Sequence, residues 1–206
     1  SSLFFFPTSI SATLWLNPDY SKTDIEYISQ YLKKGDTYVD IGANIGHLAL
    51  AASDFVGSSG TTIAVEGNKK TAEFLKKNIQ LNKKHVSVFS CIVGENCGIA
   101  GIENRKADDM NQVIENGNQR MLNLDTICQN LNNINLLKID VEGYELSVLK
   151  GGTKTLTKTD NLFIEIIDDL LEKFSSSSNQ IFLFLKENNF ILDRKIDNSN
   201  YIFKKK

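Results

Sequence analysis

The chain has 206 residues, enough for one domain that buries roughly 70% of its unfolded surface without help from disulfides. Its net charge of -2 and pI near 5.7 argue against a nucleic-acid partner, because phosphate neutralisation needs a basic surface. Cys91, Cys97 and Cys128 are an odd set with no C-x-x-C or histidine pairing. They argue against a zinc finger or a disulfide framework and point to a reducing, cytoplasmic compartment. No apolar run approaches the ~20 residues that span a bilayer, and residues 3–6 lack the basic flank and length of a signal peptide. The chain does not begin with Met, as expected of a domain cut from a longer, multidomain protein.

In chain order, the aromatic-rich segment 3–16, punctuated by Pro7 and Pro18, reads as extended chain. Asp19 or Ser21 then caps a helix in which Ile25, Ile28 and Leu32 recur at helical spacing and which Gly35 stops. The run TYVDIGANIG at 37–46 is a strand, a tight turn and a helix start near Ile45, and the small apolar residues after His47 suit a helix packed closely on a sheet. Residues 61–65 form a second strand ending in Glu66, and 68–82 an amphipathic helix with Ala72, Leu75 and Ile79 inward. A third strand covers 86–93, and a short returning segment covers 99–103. The polar stretch 104–119 shows little periodicity and reads as a long functional loop. A short helix at 124–131 leads to a nearly continuous apolar strand at 134–139, as for a strand buried on both faces of a parallel sheet. A helix at 144–149, a strand at 161–167, a helix at 180–186 whose FLFL packs inward, and a closing hairpin of 190–196 with 201–205 complete an α/β domain. The whole chain is read as one domain, residues 1–34 being a leading segment and helix and 35–206 the core.

Three stretches carry chemistry. In 37–46 the spacing D-x-G-x-N-x-G resembles a dinucleotide fingerprint, but the carboxylate of Asp40 stands where the first glycine would turn toward a pyrophosphate. A carboxylate there repels a pyrophosphate and suits an ammonium. S-adenosylmethionine (SAM), with an amino-acid end and no phosphate, is therefore favoured over NAD. Gly42 and Gly46 let the backbone turn and a ligand lie close, with Asn44 between them. Glu66, ending the second strand some 20 residues on, is placed to accept both hydroxyls of a ribose. Asn68 either adds a ribose contact or caps the following helix. In KIDVEGYE, period-two alternation puts Lys138, Asp140 and Glu142 on one side at the carboxyl end of a central strand, where open α/β sheets bind ligands. Glu142 either serves there or caps the helix that follows.

These residues resemble the FkbM-type SAM-dependent methyltransferases. The matching pieces are VDIGANIG at 39–46, AVEGN at 64–68, LKKNIQLN at 75–82, LDTI at 124–127, LLKIDVEGYELSVLKGG at 136–152 and IEI at 164–166. Gly67 departs from the proline more usual in that family. The resemblance implies the Rossmann-like class I methyltransferase fold, a mostly parallel seven-stranded sheet with helices on both faces and an antiparallel last strand. It also implies SAM as cofactor, with the backbone near Cys91 and Ile92 bordering the adenine. Methyl transfer to a hydroxyl of a sugar, a glycan or a polyketide-type product is the implied activity, and a non-catalytic SAM-binding domain is the alternative.

Asp140 is the expected contact to both SAM and acceptor, with Glu142 or Glu165 as base or hydroxyl acceptor and His47 as a further candidate base. No residue is assigned as a metal ligand. Mg²⁺ enters only as a variant, should the oxygens of Asp140, Glu142, Glu165 and Asp168 converge. A DNA-base methyltransferase would want D/N-P-P-Y, and the echo Asn17-Pro18-Asp19-Tyr20 has the wrong third residue. Acceptor specificity is expected from 1–20 and 104–119.

Overall fold

The computed structural model describes residues 13, 16–17, 22–103 and 112–206. Among these, the helix α1 (Lys22–Tyr31) leads into β1 (Thr37–Ile41), α2 (His47–Val56), β2 (Thr61–Glu66), α3 (Lys69–Leu81) and β3 (Ser87–Ser90). There follow β4 (Ile92–Val93), β5 (Gly98–Glu103), β6 (Gln112–Leu122), α4 (Leu124–Ile127), β7 (Ile134–Ile139), α5 (Glu145–Lys150) and α6 (Thr153–Thr157). The chain closes with β8 (Thr159–Glu165), α7 (Asp168–Leu171), a 3-10 turn, α8 (Ser178–Glu187), β9 (Phe190–Lys195) and β10 (Asn200–Lys205). None of the described helices is long and apolar enough to cross a membrane.

The main sheet has the order β3-β2-β1-β7-β8-β10-β9. Strands β1, β2, β3, β7 and β8 are parallel neighbours, and β10 runs antiparallel between β8 and β9. This is the class I methyltransferase arrangement expected above. Strand order reverses between β1 and β7, so the carboxyl ends of those two strands open a crevice at the topological switch point.

Apolar side chains leave both faces of the central strands and so need helices on each. On one face Tyr38, Leu136 and Phe163 pack with Ile28 of α1 and Leu48 and Ala52 of α2, while Ala64 meets Leu75 and Ile79 of α3. On the other, Val39, Ile41, Leu137 and Ile164 pack with Leu149 of α5 and Ile181 and Leu185 of α8. In α8 the FLFL run does not turn wholly inward, since helical spacing leaves Leu183 56% exposed. Asn17 N donates to Thr13 O at 2.7 Å, a helical turn where extended chain was expected; the rest of 1–21, including the proposed caps Asp19 and Ser21, lies outside the described residues.

Two expectations between the third strand and β7 are corrected. The strand over 86–93 is broken at Cys91: Ser87–Ser90 pairs with β2, whereas Ile92 and Val93 bury themselves against Met121 and Leu122 in a second, three-stranded sheet of order β4-β6-β5. Of the supposed loop 104–119, residues from 112 onward belong to β6, which pairs antiparallel with β5; residues 104–111 lie outside the described residues. The ribbon carries a register shift between Ala100 and Gly101, where a Cβ on Gly117 would lie 2.2 Å from Gly101 Cα. Two glycines in close approach, with polar residues outward, erase the alternation by which a strand is read.

Gly42 governs how β1 meets β7. Its φ is +84°, and a Cβ there would sit 1.7 Å from the backbone oxygen of Asp140. Gly42→Ala is therefore expected to destabilise the fold by about 2 kcal/mol or more; urea unfolding monitored by circular dichroism measures this, and an unchanged midpoint would refute the close approach.

Candidate active site

The crevice is a cavity of about 520 Å³, within the range of small-ligand sites. Its floor is the register of β1 on β7, which sets Asp40 opposite Lys138, with Phe163 on the far side of Lys138. Asp40 is 0% exposed, and neither carboxylate oxygen meets a hydrogen-bond partner. Lys138 Nζ lies 3.8 Å from Asp40 Oδ1 and 2.9 Å from Asp140 Oδ2. Burial pushes the Asp40 pKa up to about 6 against the opposing pull of Lys138. Burial works against the Lys138 ammonium too, but the charges of Asp140 and Asp40 outweigh it and hold the lysine above its ordinary range.

Glu66 closes one side. Its Oε2 accepts from Asn44 N at 2.9 Å and its Oε1 from Asn68 N at 2.7 Å. These bonds fix the carboxylate plane. Asn44 sits in the left-handed region at φ 50°, which turns its N–H toward Glu66.

The opposite side is acidic. One carboxylate oxygen from each of Asp140, Glu142 and Glu165 lies within 4.8 Å of the others. Burial, then the charges of Asp140 and Glu142, push Glu165 up to about 9. The turn carrying Glu142 is held by Glu145, whose Oε1 accepts from Val141 N at 3.0 Å and Gly143 N at 3.1 Å. Glu142 stands at φ 58° outside the helix, whose N-cap is Tyr144, so the capping role is not the one it plays. His47, the first residue of α2, lines the cavity. Burial and the Lys138 charge lower its pKa to about 4, so the ring is neutral at physiological pH, with Nδ1 buried and unpartnered.

A family profile, the methyltransferase FkbM domain, matches residues 40–192, a span that contains every one of these residues. The chain belongs to the FkbM methyltransferase family.

Among curated proteins, the ribosomal protein L11 methyltransferase of Thermotoga neapolitana is 34% identical to this FkbM domain over 68 residues, 33% of this chain. The match spans 25% of that relative's length. Among solved structures, a protein from Clostridium thermocellum described as an rRNA methylase superposes with a TM-score of 0.60 at 14% identity, covering 89% of this chain and 94% of that one. A SAM-dependent methyltransferase from Aquifex aeolicus gives 0.56 at 17% identity over 95% and 96%. Fibrillarin from Aeropyrum pernix, with SAM bound, gives 0.53 at 13% over 88% and 73%. At such identities the structural likeness is one of fold.

Of the site residues read from the sequence, Asp40, Gly42, Asn44, His47, Glu66, Cys91, Ile92, Asp140, Glu142 and Glu165 all line the cavity of the FkbM domain. Two serve otherwise. Gly46 makes the turn into α2 at φ +91° but lies outside the cavity lining, and a Cβ there would come within 2.4 Å of Leu75 Cδ1. Asn68 spends its side-chain oxygen on the N–H groups of Lys70 and Thr71, capping α3. Asp168, weighed for Mg²⁺, is also elsewhere, its oxygens accepting from Ser178 N and Oγ. The Lys138 ammonium is already a cation beside Asp140.

Gly67, where the family more often has proline, lies under Ile102 Cδ1, which a Cβ would approach to 2.7 Å. The sequence placed Lys138 beside Asp140 without giving it a role and passed over Asp24, Asp197 and Asn200; all four also line the cavity. Only Lys138 carried a signal, as the lone charge inside an apolar strand, INLLKI. The other three come from α1 and the β9–β10 turn, whose residues read as ordinary helix-start and hairpin chemistry.

Asp40, Glu145 (pushed up to about 7) and Glu165 all have raised folded-state pKa values. These three groups therefore bind more protons in the folded state than in the unfolded chain between about pH 4 and pH 9 and lower stability as pH rises through that window, while His47, lowered from 6.5 to about 4, opposes them in its lower part. The melting temperature is expected to drop by several degrees between about pH 5 and about pH 8.5, and Glu165→Gln to flatten the drop; thermal scans that rise across this window would contradict the assignment.

Proposed function

We propose that this domain catalyses transfer of a methyl group from SAM to a hydroxyl oxygen, that of a sugar in a glycan or glycosylated product. The observation that carries the reading is the buried carboxylate of Asp40, which faces Lys138 without a hydrogen bond, in one cavity with Glu66 on one side and the Asp140, Glu142 and Glu165 carboxylates on the other. SAM, when bound, supplies a methyl group on a sulfonium centre, activated for in-line displacement.

The chain's own residues divide the remaining work. Asp40 accepts the ammonium of the amino-acid end, for which an anionic pyrophosphate would be a poor substitute. Glu66, already oriented by two backbone N–H groups, accepts the ribose hydroxyls. Cys91 and Ile92 line the adenine side. The acceptor hydroxyl is a weak nucleophile until its proton leaves, and a positioned base contributes roughly 10² to 10⁴ in rate. Asp140 is the residue proposed to receive that proton and to hold the acceptor at near-attack distance, with Glu142 accepting a neighbouring sugar hydroxyl. Glu165, held near pH 9, is protonated at neutral pH and acts as a hydrogen-bond donor to the acceptor. His47, with its pKa near 4, is a weak proton acceptor and ranks behind Asp140.

The excess of acids supports a hydroxyl-rich, neutral acceptor over RNA, whose phosphates it would repel, although one structure of similar fold is described as an rRNA methylase.

Titration calorimetry with SAM and, at matched concentrations, NAD⁺ tests the donor: micromolar SAM binding with NAD⁺ silent is expected, and NAD⁺ binding alone would overturn it. Glu66→Ala is expected to weaken SAM binding about tenfold or more. Once an acceptor is found by methyl-label transfer to sugars, with RNA alongside, Asp140→Asn is expected to abolish turnover while SAM affinity stays within about tenfold; full turnover by that variant would remove Asp140 from the chemistry.

A further inference from the structure

We propose that Lys138 is a positioning residue of the donor site: its buried ammonium, held between Asp40 and Asp140, keeps Asp40 a carboxylate that faces the cavity and ties the donor side to the acceptor side. The inference rests on the SAM reading above and goes beyond it by naming the group on which the ammonium subsite depends.

The geometry is as follows. Lys138 is 6% exposed and sits in the strand register directly beside Asp40. Its Nζ hydrogen-bonds Asp140 Oδ2 at 2.9 Å and lies 3.8 Å from Asp40 Oδ1. The Asp140 bond is the shorter, so the ammonium is anchored on the acceptor side and leans on Asp40 through charge alone. Neither Asp40 oxygen has a well-formed hydrogen bond; the Tyr38 hydroxyl and the Lys138 ammonium nearby favour its charged form, and without the cation a carboxylate so buried would take up a proton. A protonated Asp40 offers a ligand ammonium one neutral oxygen in place of an anion.

The groups facing this pair are Tyr38 from β1, Asp24 from α1, His47 from α2, Glu165 from β8 and Glu142 from the turn after β7. As pH rises, His47 loses its positive charge near pH 4 and Glu165 gains its negative charge near pH 9. Tyr38 is raised above its ordinary value by burial. The interval around pH 6, where Asp40 titrates, is thereby set apart from these three. Lys138 lowers Asp40 and Asp140 raises it, so the two neighbours displace the same titration in opposite directions.

The test is SAM affinity by calorimetry from about pH 5 to about pH 8.5, with 5′-methylthioadenosine as control because it keeps the adenosine and sulfur but lacks the amino-acid end. For the unaltered protein, SAM affinity should be highest near about pH 7 and fall about tenfold per pH unit below about pH 6; the fall above about pH 8, where the ligand's own α-amino group loses its proton, is common to every variant, and methylthioadenosine affinity stays flat throughout. Lys138→Met should move the break up by about one unit or more, costing several-fold in SAM affinity near neutral pH, recovered at higher pH, with methylthioadenosine unaffected. Lys138→Arg should restore the original profile. Asp140→Asn, a milder change should the methionine variant fail to fold, should move the break down. An unmoved break in folded Lys138→Met, equal loss of both ligands, or breaks shifted the same way by both variants would overturn the inference. A protein that binds no SAM at any pH would instead overturn the donor reading beneath it.

Discussion

The site depends on the pairing of β1 with β7. Because side chains alternate along a strand, the register that puts Asp40 beside Lys138 also puts Tyr38 beside Leu136 on the same face and sends Val39 and Ile41 to the opposite core. A one-residue slip would bury Lys138 among the leucines and valines of the other face and expose those apolar groups to the cavity. The apolar pattern on both sides of the sheet thus fixes the charged pair as firmly as it fixes the core. Gly42 completes the constraint by letting the chain leave β1 within contact distance of the Asp140 backbone, so the donor turn and the acceptor turn are built against each other.

The two turns are held by the same device. Each contains a non-glycine residue in the left-handed region, Asn44 on one side and Glu142 on the other. Such residues persist only where surrounding structure over-determines them. Glu66 supplies that on the donor side by accepting from Asn44 N and Asn68 N, and Glu145 on the acceptor side by accepting from Val141 N and Gly143 N. Both are carboxylates binding backbone N–H groups, which makes the bonds charge-assisted and strong. Glu66 also faces the cavity, whereas Glu145 is 2% exposed, so one clamp is open to a ligand and the other is closed off.

What the sequence made legible follows from the range of the interactions involved. The βα turn at Asp40, the acid at Glu66 and the strand end at Asp140 were readable because each is a local pattern: strand, turn and helix start within ten residues. The roles of Gly46 and Asn68 were half readable. A glycine in a turn and an asparagine at a helix start each have two explanations, and only Leu75 against Gly46 and the two N–H groups on Asn68 decide between them. The β5–β6 ribbon was not legible, since its pairing hinges on Gly101 meeting Gly117 across a register shift and leaves no alternation in either strand. Asp24 and Asp197 were beyond reach for a different reason: they enter the cavity from elements at opposite ends of the chain, and nothing local marks either as facing a ligand.

That division has a consequence for how such a domain changes its substrate. The proposed donor residues come from consecutive elements, β1 through β4, whose turns and packing constrain one another. Residues on the proposed acceptor side come from α1, the end of β7, the end of β8 and the β9–β10 turn, which share no turn although β7, β8 and β10 pair in the sheet. Asp197 illustrates the independence: it is bound by its own hairpin, accepting from Ser199 N and Asn200 N, so its neighbours can vary without disturbing Asp40 or Glu66. A fold that fixes the donor in one contiguous unit and gathers the acceptor wall from scattered ones can keep one cofactor while its acceptors diverge. The acceptor wall's charge and shape, more than its fold relatives, are what should guide the choice of acceptors to try.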